Sequence, residues 1–156
     1  MESIVGITIH LAADHAGFLC KEAVRQWLQS EGVVVIDHGA AVFDDLDDFP
    51  DFIIPAAQAV AAAPAHSRGI IFGGSGQGEA MVANRFAAAR ATVYYGGSDE
   101  IITLSRQHND ANILSIGARF VSVDEAKRVI WLWLHTAPLF DSKYHRRNCK
   151  LSELGA

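Results

Sequence analysis

The stretch GGSGQGEAMVANR, residues 73 to 85, places glycines at 73, 74, 76 and 78 and then a carboxylate, Glu79, where a helix should begin. Such a glycine-rich turn can aim its backbone amides at one spot, and Ser75 adds a hydroxyl. Gly74, Ser75, Gly76, Gln77 and Gly78 can therefore hold a phosphate or a developing oxyanion. A carboxylate beside that cradle can act as a general base, its pKa lowered by the helix terminus and raised by burial. The plainer alternative is an acidic residue stabilised in a first helical turn by the macrodipole, with no chemistry to perform. Residue types alone leave both open. Standard signatures are not met. GxGxxG fails because Glu79 stands at the third glycine position counted from Gly74, the GK[ST] ending of a P-loop is missing, and GxSxG fails at Gln77.

Other reactive side chains fall into two groups. Asp14 and His15, in AADHAG, close an apolar run and can either cap the next helix or face a ligand. His108 and Asn109, in SRQHNDAN, are candidates for acid/base work and hydroxyl binding, or simply polar residues at a helix end. Arg119, Lys143, Arg146 and Arg147 could clamp a phosphate, and the spacing from Lys143 to Arg147 puts both on one helix face. The remaining histidines, His10, His38, His66, His135 and His145, lack a metal-ligand spacing such as HExxH, so no metal is expected. Asp44, Asp45, Asp47, Asp48 and Asp51 crowd one irregular segment that reads as a solvated acidic loop, with no geometry to specify a cation.

These residues need a frame, and short β-branched runs alternating with helical segments predict a parallel sheet covered by helices on both faces. Strands are expected at about 4 to 11, 33 to 37, 69 to 73, 91 to 95 and 113 to 117. A first helix from His15 to Glu31 would bury Ala16, Leu19, Ala23 and Trp27 with Cys20, Val24 and Leu28, and Gly32 would end it. Asp48 and Pro50 start an alanine-rich helix that Pro55 should make irregular or kinked. The basic end of the chain reads as a short helix extending from the body. In open parallel sheets ligands gather at the carboxyl edge, and AADHAG, GGSGQGE and SRQHNDAN are all expected there.

With 156 residues the chain suits one domain, residues 1 to 156. A net charge of -5 argues against indiscriminate attraction to nucleic acid or anionic membrane. No segment reads as a signal peptide or spanning helix, and two cysteines without a CxxC pair suit a reducing compartment, so cytoplasmic residence is expected.

Together DHAGF with KE, VIDHGA, DFPDF, GGSGQGE with ANR, SRQHNDANILSIGAR and the late basic cluster closely resemble the type B ribose-5-phosphate isomerases and the related galactose-6-phosphate isomerase subunits. The resemblance covers essentially the whole chain. It implies a Rossmann-like α/β/α sandwich with a five-stranded parallel sheet. It also implies a homodimer, or a tetramer, with active sites at the subunit interface, and a C-terminal extension from about residue 138 contacting the partner. The implied reaction interconverts an aldose phosphate and a ketose phosphate, first of all ribose 5-phosphate and ribulose 5-phosphate, through an enediolate with no metal or organic cofactor. Many members carry a cysteine base where this chain has Gly73; a second branch carries a glutamate, matched by Glu79. By position, His108 would open the furanose ring and Asp14 would polarise the ring-oxygen region. Ser75 and the amides of residues 74 to 78 would stabilise the enediolate, while His15, Arg119, Lys143 and Arg147 hold phosphate and Asn109 binds hydroxyls.

Three departures stand out: Lys143 where many relatives have arginine, Phe49 and Phe52 where tyrosines are usual, and a longer loop at residues 94 to 104. A hexose 6-phosphate of galactose or allose type is the alternative substrate. The alternative of another class is a non-catalytic sugar-phosphate binding or regulatory protein.

Overall fold

A computed structural model describes residues 4–141 and 143–154. Five parallel strands, β1 (Thr8–Ala13), β2 (Val34–Asp37), β3 (Ser67–Gly73), β4 (Ala91–Tyr94) and β5 (Ile113–Gly117), form one sheet in the order β2-β1-β3-β5-β4. Helices α1 (Phe18–Ser30), α2 (Phe49–Ala62), α3 (Gln77–Ala83), α4 (Asp99–Gln107) and α5 (Val123–Leu134) connect and follow the strands, and α6 (Lys143–Ser152) comes last. This is the expected α/β sandwich.

Strand alternation divides the core into two layers. Ile9, Leu11, Ile70, Phe72, Leu114 and Ile116 face α1 and α5, where Val24, Leu28, Ile130 and Trp133 meet them. Ala12, Ile71 and Ile113 face the other way, onto Ile53, Ala57 and Val60 of α2. The chain therefore leaves β1 toward one layer and β2 toward the other. The crevice outside the adjacent ends of β1 and β3 is the switch point at which such sheets take ligands.

Local expectations needed correction in several places. The first strand begins at Thr8 rather than near residue 4, because pairing with Val34 and Ser67 starts there, and it continues through Ala12 and Ala13. Leu19 is 75% exposed: α1 starts only at Phe18, and the buried stripe runs through Cys20, Val24 and Leu28. Pro55 neither delays nor ends α2, which runs unbroken from Phe49 to Ala62. Asp48 stands at its N-cap position, but its side chain accepts no capping bond from the helix amides. Among the described residues α6 buries none of its side chains.

Candidate active site

The glycine loop leaves the carboxyl end of β3 and is stitched to the continuation of β5. The amides of Ala118 and Arg119 donate to the carbonyls of Gly73 and Gly74, at 2.9 and 3.1 Å. Gly76 then turns with φ of 77°, a conformation that favours glycine. The Ser115 hydroxyl, fully buried in β5, donates to the Gly76 carbonyl at 2.6 Å and pins that turn. Phe49 of α2 abuts Gly78, so one of the two tyrosine-replacing phenylalanines walls the loop by packing.

Glu79, in the first turn of α3, is 4% exposed. Its carboxyl group fills the space directly over Gly73, where a Cβ would overlap Cδ and both oxygens. Burial pushes its pKa up, its own backbone amide pulls down, and the Asp14 carboxylate pushes up again. The opposed influences expected from sequence are both present, and burial prevails. A carboxyl raised in this way is better matched to proton abstraction near neutral pH than an ordinary one.

Asp14 follows β1 and is 8% exposed. Its Oδ1 accepts from the amides of Ala16 and Gly17 at 3.0 and 3.2 Å, so it does support the start of α1 while standing near Glu79. His15 is next to it, and its Nδ1 lies 2.7 Å from Asp47 Oδ1. The Asp47 carboxylate is the largest influence raising the pKa of His15; Asp14 adds to it, and desolvation and Arg119 oppose. Arg119 lies against Gly74, its Nη1 within 3.2 Å of where a Cβ there would stand. Asp14, His15, Gly74, Ser75, Gly76, Gln77, Gly78, Glu79 and Arg119 thus meet at the expected edge.

His108 and Asn109 do not join them within one chain, which corrects the expectation that all three motifs share the carboxyl edge. Helix α4 runs back from β4, and His108 caps its end just before β5. Gly69 pairs with Ile113 and Gly73 with Gly117, so the segment before β5 lies at the amino edge and Glu79 lies beyond the carboxyl edge. The seven residues of β3 separate those edges by about 20 Å. Around His108 a second cluster of side chains has formed. Tyr144 of α6 stacks on the imidazole with centroids 3.7 Å apart, and Asn148 Nδ2 donates to the His108 carbonyl at 3.0 Å. The Lys143 and Arg147 cations flank the Tyr144 ring at 5.3 and 5.7 Å, as their shared helix face required.

Sequence reasoning missed Asp47, Tyr144 and Asn148. Asp47 was one of five aspartates in a short run, with nothing to single it out; Tyr144 had at least its place inside the basic cluster. One nitrogen and two carboxylate oxygens of Asp14, His15 and Asp47 lie within 4.8 Å of one another, a grouping that no motif spacing foretold.

A buried carboxylate at the switch point of a parallel sheet, beside a guanidinium and an imidazole, can bind a small anion and move a proton on it. Those are the requirements of an isomerase acting on a phosphorylated small molecule. The chain belongs to the Ribose/Galactose Isomerase family, whose profile matches residues 9–151. A ribose-5-phosphate isomerase B of Mycobacterium tuberculosis (strain CDC 1551 / Oshkosh) is 37% identical over 142 residues, covering 91% of this chain and 85% of that protein. Its counterpart in Escherichia coli (strain K12) is 37% identical over 126 residues, 81% of this chain and 82% of the relative. Among solved structures, ribose-5-phosphate isomerase B from Mycoplasma genitalium with bound ribulose-5-phosphate superposes with a TM-score of 0.89 at 30% identity, covering 94% of this chain and 95% of the other. The protein is accordingly an enzyme of the aldose–ketose isomerase class.

Proposed function

We propose that the chain interconverts ribose 5-phosphate and ribulose 5-phosphate with Glu79 as the base, at sites that two copies of the chain build together. The observation that carries this reading is the Glu79 carboxyl filling the volume over Gly73. A side chain at position 73 and the carboxylate at 79 would compete for one place, so each can supply the base only where the other is absent.

In the reaction His108 donates a proton to the ring oxygen and a proton leaves the C1 hydroxyl, giving the open aldehyde. Glu79 takes the proton from C2, the enediolate forms, and Glu79 returns a proton at C1 while a proton passes from O2 to O1. Charge appears on the enediolate oxygens only along this path, where Ser75 and the amides of residues 74 to 78 can meet it. Asp14 polarises the ring-oxygen region, and Asn109 binds sugar hydroxyls. His15 and Arg119 hold the phosphate from one copy, Lys143 and Arg147 from the other. Such remote binding positions C1 and C2 against the base. No step calls for a metal or organic cofactor.

The placement of His108 at the edge opposite Glu79 supports a homodimer, because a single chain offers two half-sites rather than one site. Exposed apolar side chains on and flanking α6, including Phe140, Leu151 and Leu154, agree with that helix seating on a partner. We place the enzyme in the cytoplasm, a reading supported by the free thiols Cys20 and Cys149. Among the described residues no helix is long and apolar enough to cross a membrane.

Mixing two inactive variants tests both roles at once. Glu79→Gln and His108→Ala are each expected to be nearly silent in ribose 5-phosphate turnover. Co-refolded in equal amounts they should recover about a quarter of wild-type activity, because half the dimers are hybrids and each hybrid has one intact site of two. No recovery, with hybrid dimers confirmed by native mass spectrometry, would refute the shared site.

A further inference from the structure

Asp47 belongs to none of the roles above, yet its environment is unlike that of its acidic neighbours. Its side chain is 8% exposed, while Asp44 and Asp45 are open to solvent. A single oxygen, Oδ1, takes both of its bonds to His15: the backbone amide at 3.0 Å and ring Nδ1 at 2.7 Å. Gripping one residue by backbone and ring together fixes where the ring points. The other oxygen, Oδ2, is buried without a hydrogen-bond partner. A carboxylate retained in that state is costly, and an unsatisfied buried oxygen needs an explanation that loop closure alone does not give.

The loop is built to deliver this contact. Asp44 Oδ1 accepts from the Leu46 amide and the Asp44 carbonyl from the Asp47 amide, folding the segment into a turn. Phe43 meets the His15 ring edge-on at 6.3 Å and the Phe18 ring at 6.2 Å, closing the loop over the imidazole. With Nδ1 committed to Asp47, Nε2 is the ring nitrogen left to face a ligand.

We propose that Asp47 is a positioning residue that turns His15 Nε2 toward the substrate phosphate. The inference rests on the reading of His15 as a phosphate ligand. Its electrostatic consequence follows from the groups that face the ring. Asp47 favours the imidazolium most strongly, Asp14 favours it less, and Arg119 disfavours it. A protonated ring donates to phosphate from Nε2 and gives a charge-assisted bond, whereas a neutral ring whose single proton sits on Nδ1 would present a lone pair to an anion. Asp47 thus keeps His15 useful to higher pH than its ordinary titration allows.

Asp47→Asn separates geometry from charge, since an amide oxygen can still accept both bonds. Substrate KM should rise about tenfold near pH 7.5 with kcat held within about twofold. Inhibition by inorganic phosphate should weaken in parallel, and the His15 imidazole followed by NMR should titrate at lower pH than in the wild type. On a His15→Ala background Asp47→Asn should add nothing, the non-additivity that a purely structural role would not produce. Unchanged phosphate inhibition and an unchanged His15 titration in Asp47→Asn would overturn the proposal while leaving the phosphate role of His15 intact. Wild-type KM in His15→Ala would instead overturn that role and the proposal with it. Thermal melts of each variant identify a loss that comes from misfolding.

Discussion

Adding one methyl group at Gly73 should disable the enzyme without unfolding it. The backbone there is ordinary strand, outside the left-handed region, so alanine is conformationally acceptable. Its Cβ, however, would coincide with the Glu79 carboxyl group. Restoring an ordinary contact requires the carboxyl to withdraw by at least about 1 Å, and misplacement on that scale costs about a hundredfold in rate. The far end of a glutamate side chain is the mobile partner, so the damage should fall on kcat, with KM nearly preserved. Steady-state isomerisation of ribose 5-phosphate and exchange of the C2 proton with solvent measure the same step in two ways, and both should fall together. A companion variant reverses the logic. Glu79→Ala vacates the space, and Gly73→Cys added to it supplies a thiolate nearby, so exchange should partly return. A Gly73→Ala enzyme with wild-type kcat would refute the argument that this carboxyl, in this position, is the base.

Two further outcomes follow from the same geometry. Burial and Asp14 raise the Glu79 pKa, so the folded protein holds that proton more tightly than the unfolded chain. Its contribution to stability is therefore full below the unfolded carboxyl pKa and is lost as pH rises through the raised folded value. Glu79→Gln should melt above wild type near pH 7.5, with the gap closing toward about pH 4, while C2 proton exchange falls by about a thousandfold; a gap that widens on acidification would contradict the assignment. Ser115→Ala removes the hydroxyl that holds the Gly76 carbonyl, which keeps the Ala80 amide at 3.2 Å. It should cost about 1 kcal/mol in denaturant unfolding and lower kcat by loosening the glycine loop; full activity with full stability would show that Gly76 needs no such support.

The sequence determined the sheet, its helical layers and the cluster around the glycine loop. A short, nearly continuous apolar run is a local signal, present in β3 and β5 because both faces of those strands are buried. The glycine loop with Glu79 is contiguous, and its neighbours Asp14 and Arg119 follow strands directly, so strand order alone delivers them to one edge. What the tertiary structure decided depended on chain direction and packing. A residue at the end of a strand and one at the end of the returning helix lie on opposite sides of the sheet, and that separates His108 from Glu79 although both belong to one family pattern. Likewise the five aspartates between residues 44 and 51 are alike in composition, and only the fold of the loop under Phe43 gives Asp47 to His15. The register of β1, begun at Thr8 by its two neighbours, and the exposure of Leu19 have the same origin: a strand's limits and a helix's buried face are set by the elements they pack against, which propensity does not encode.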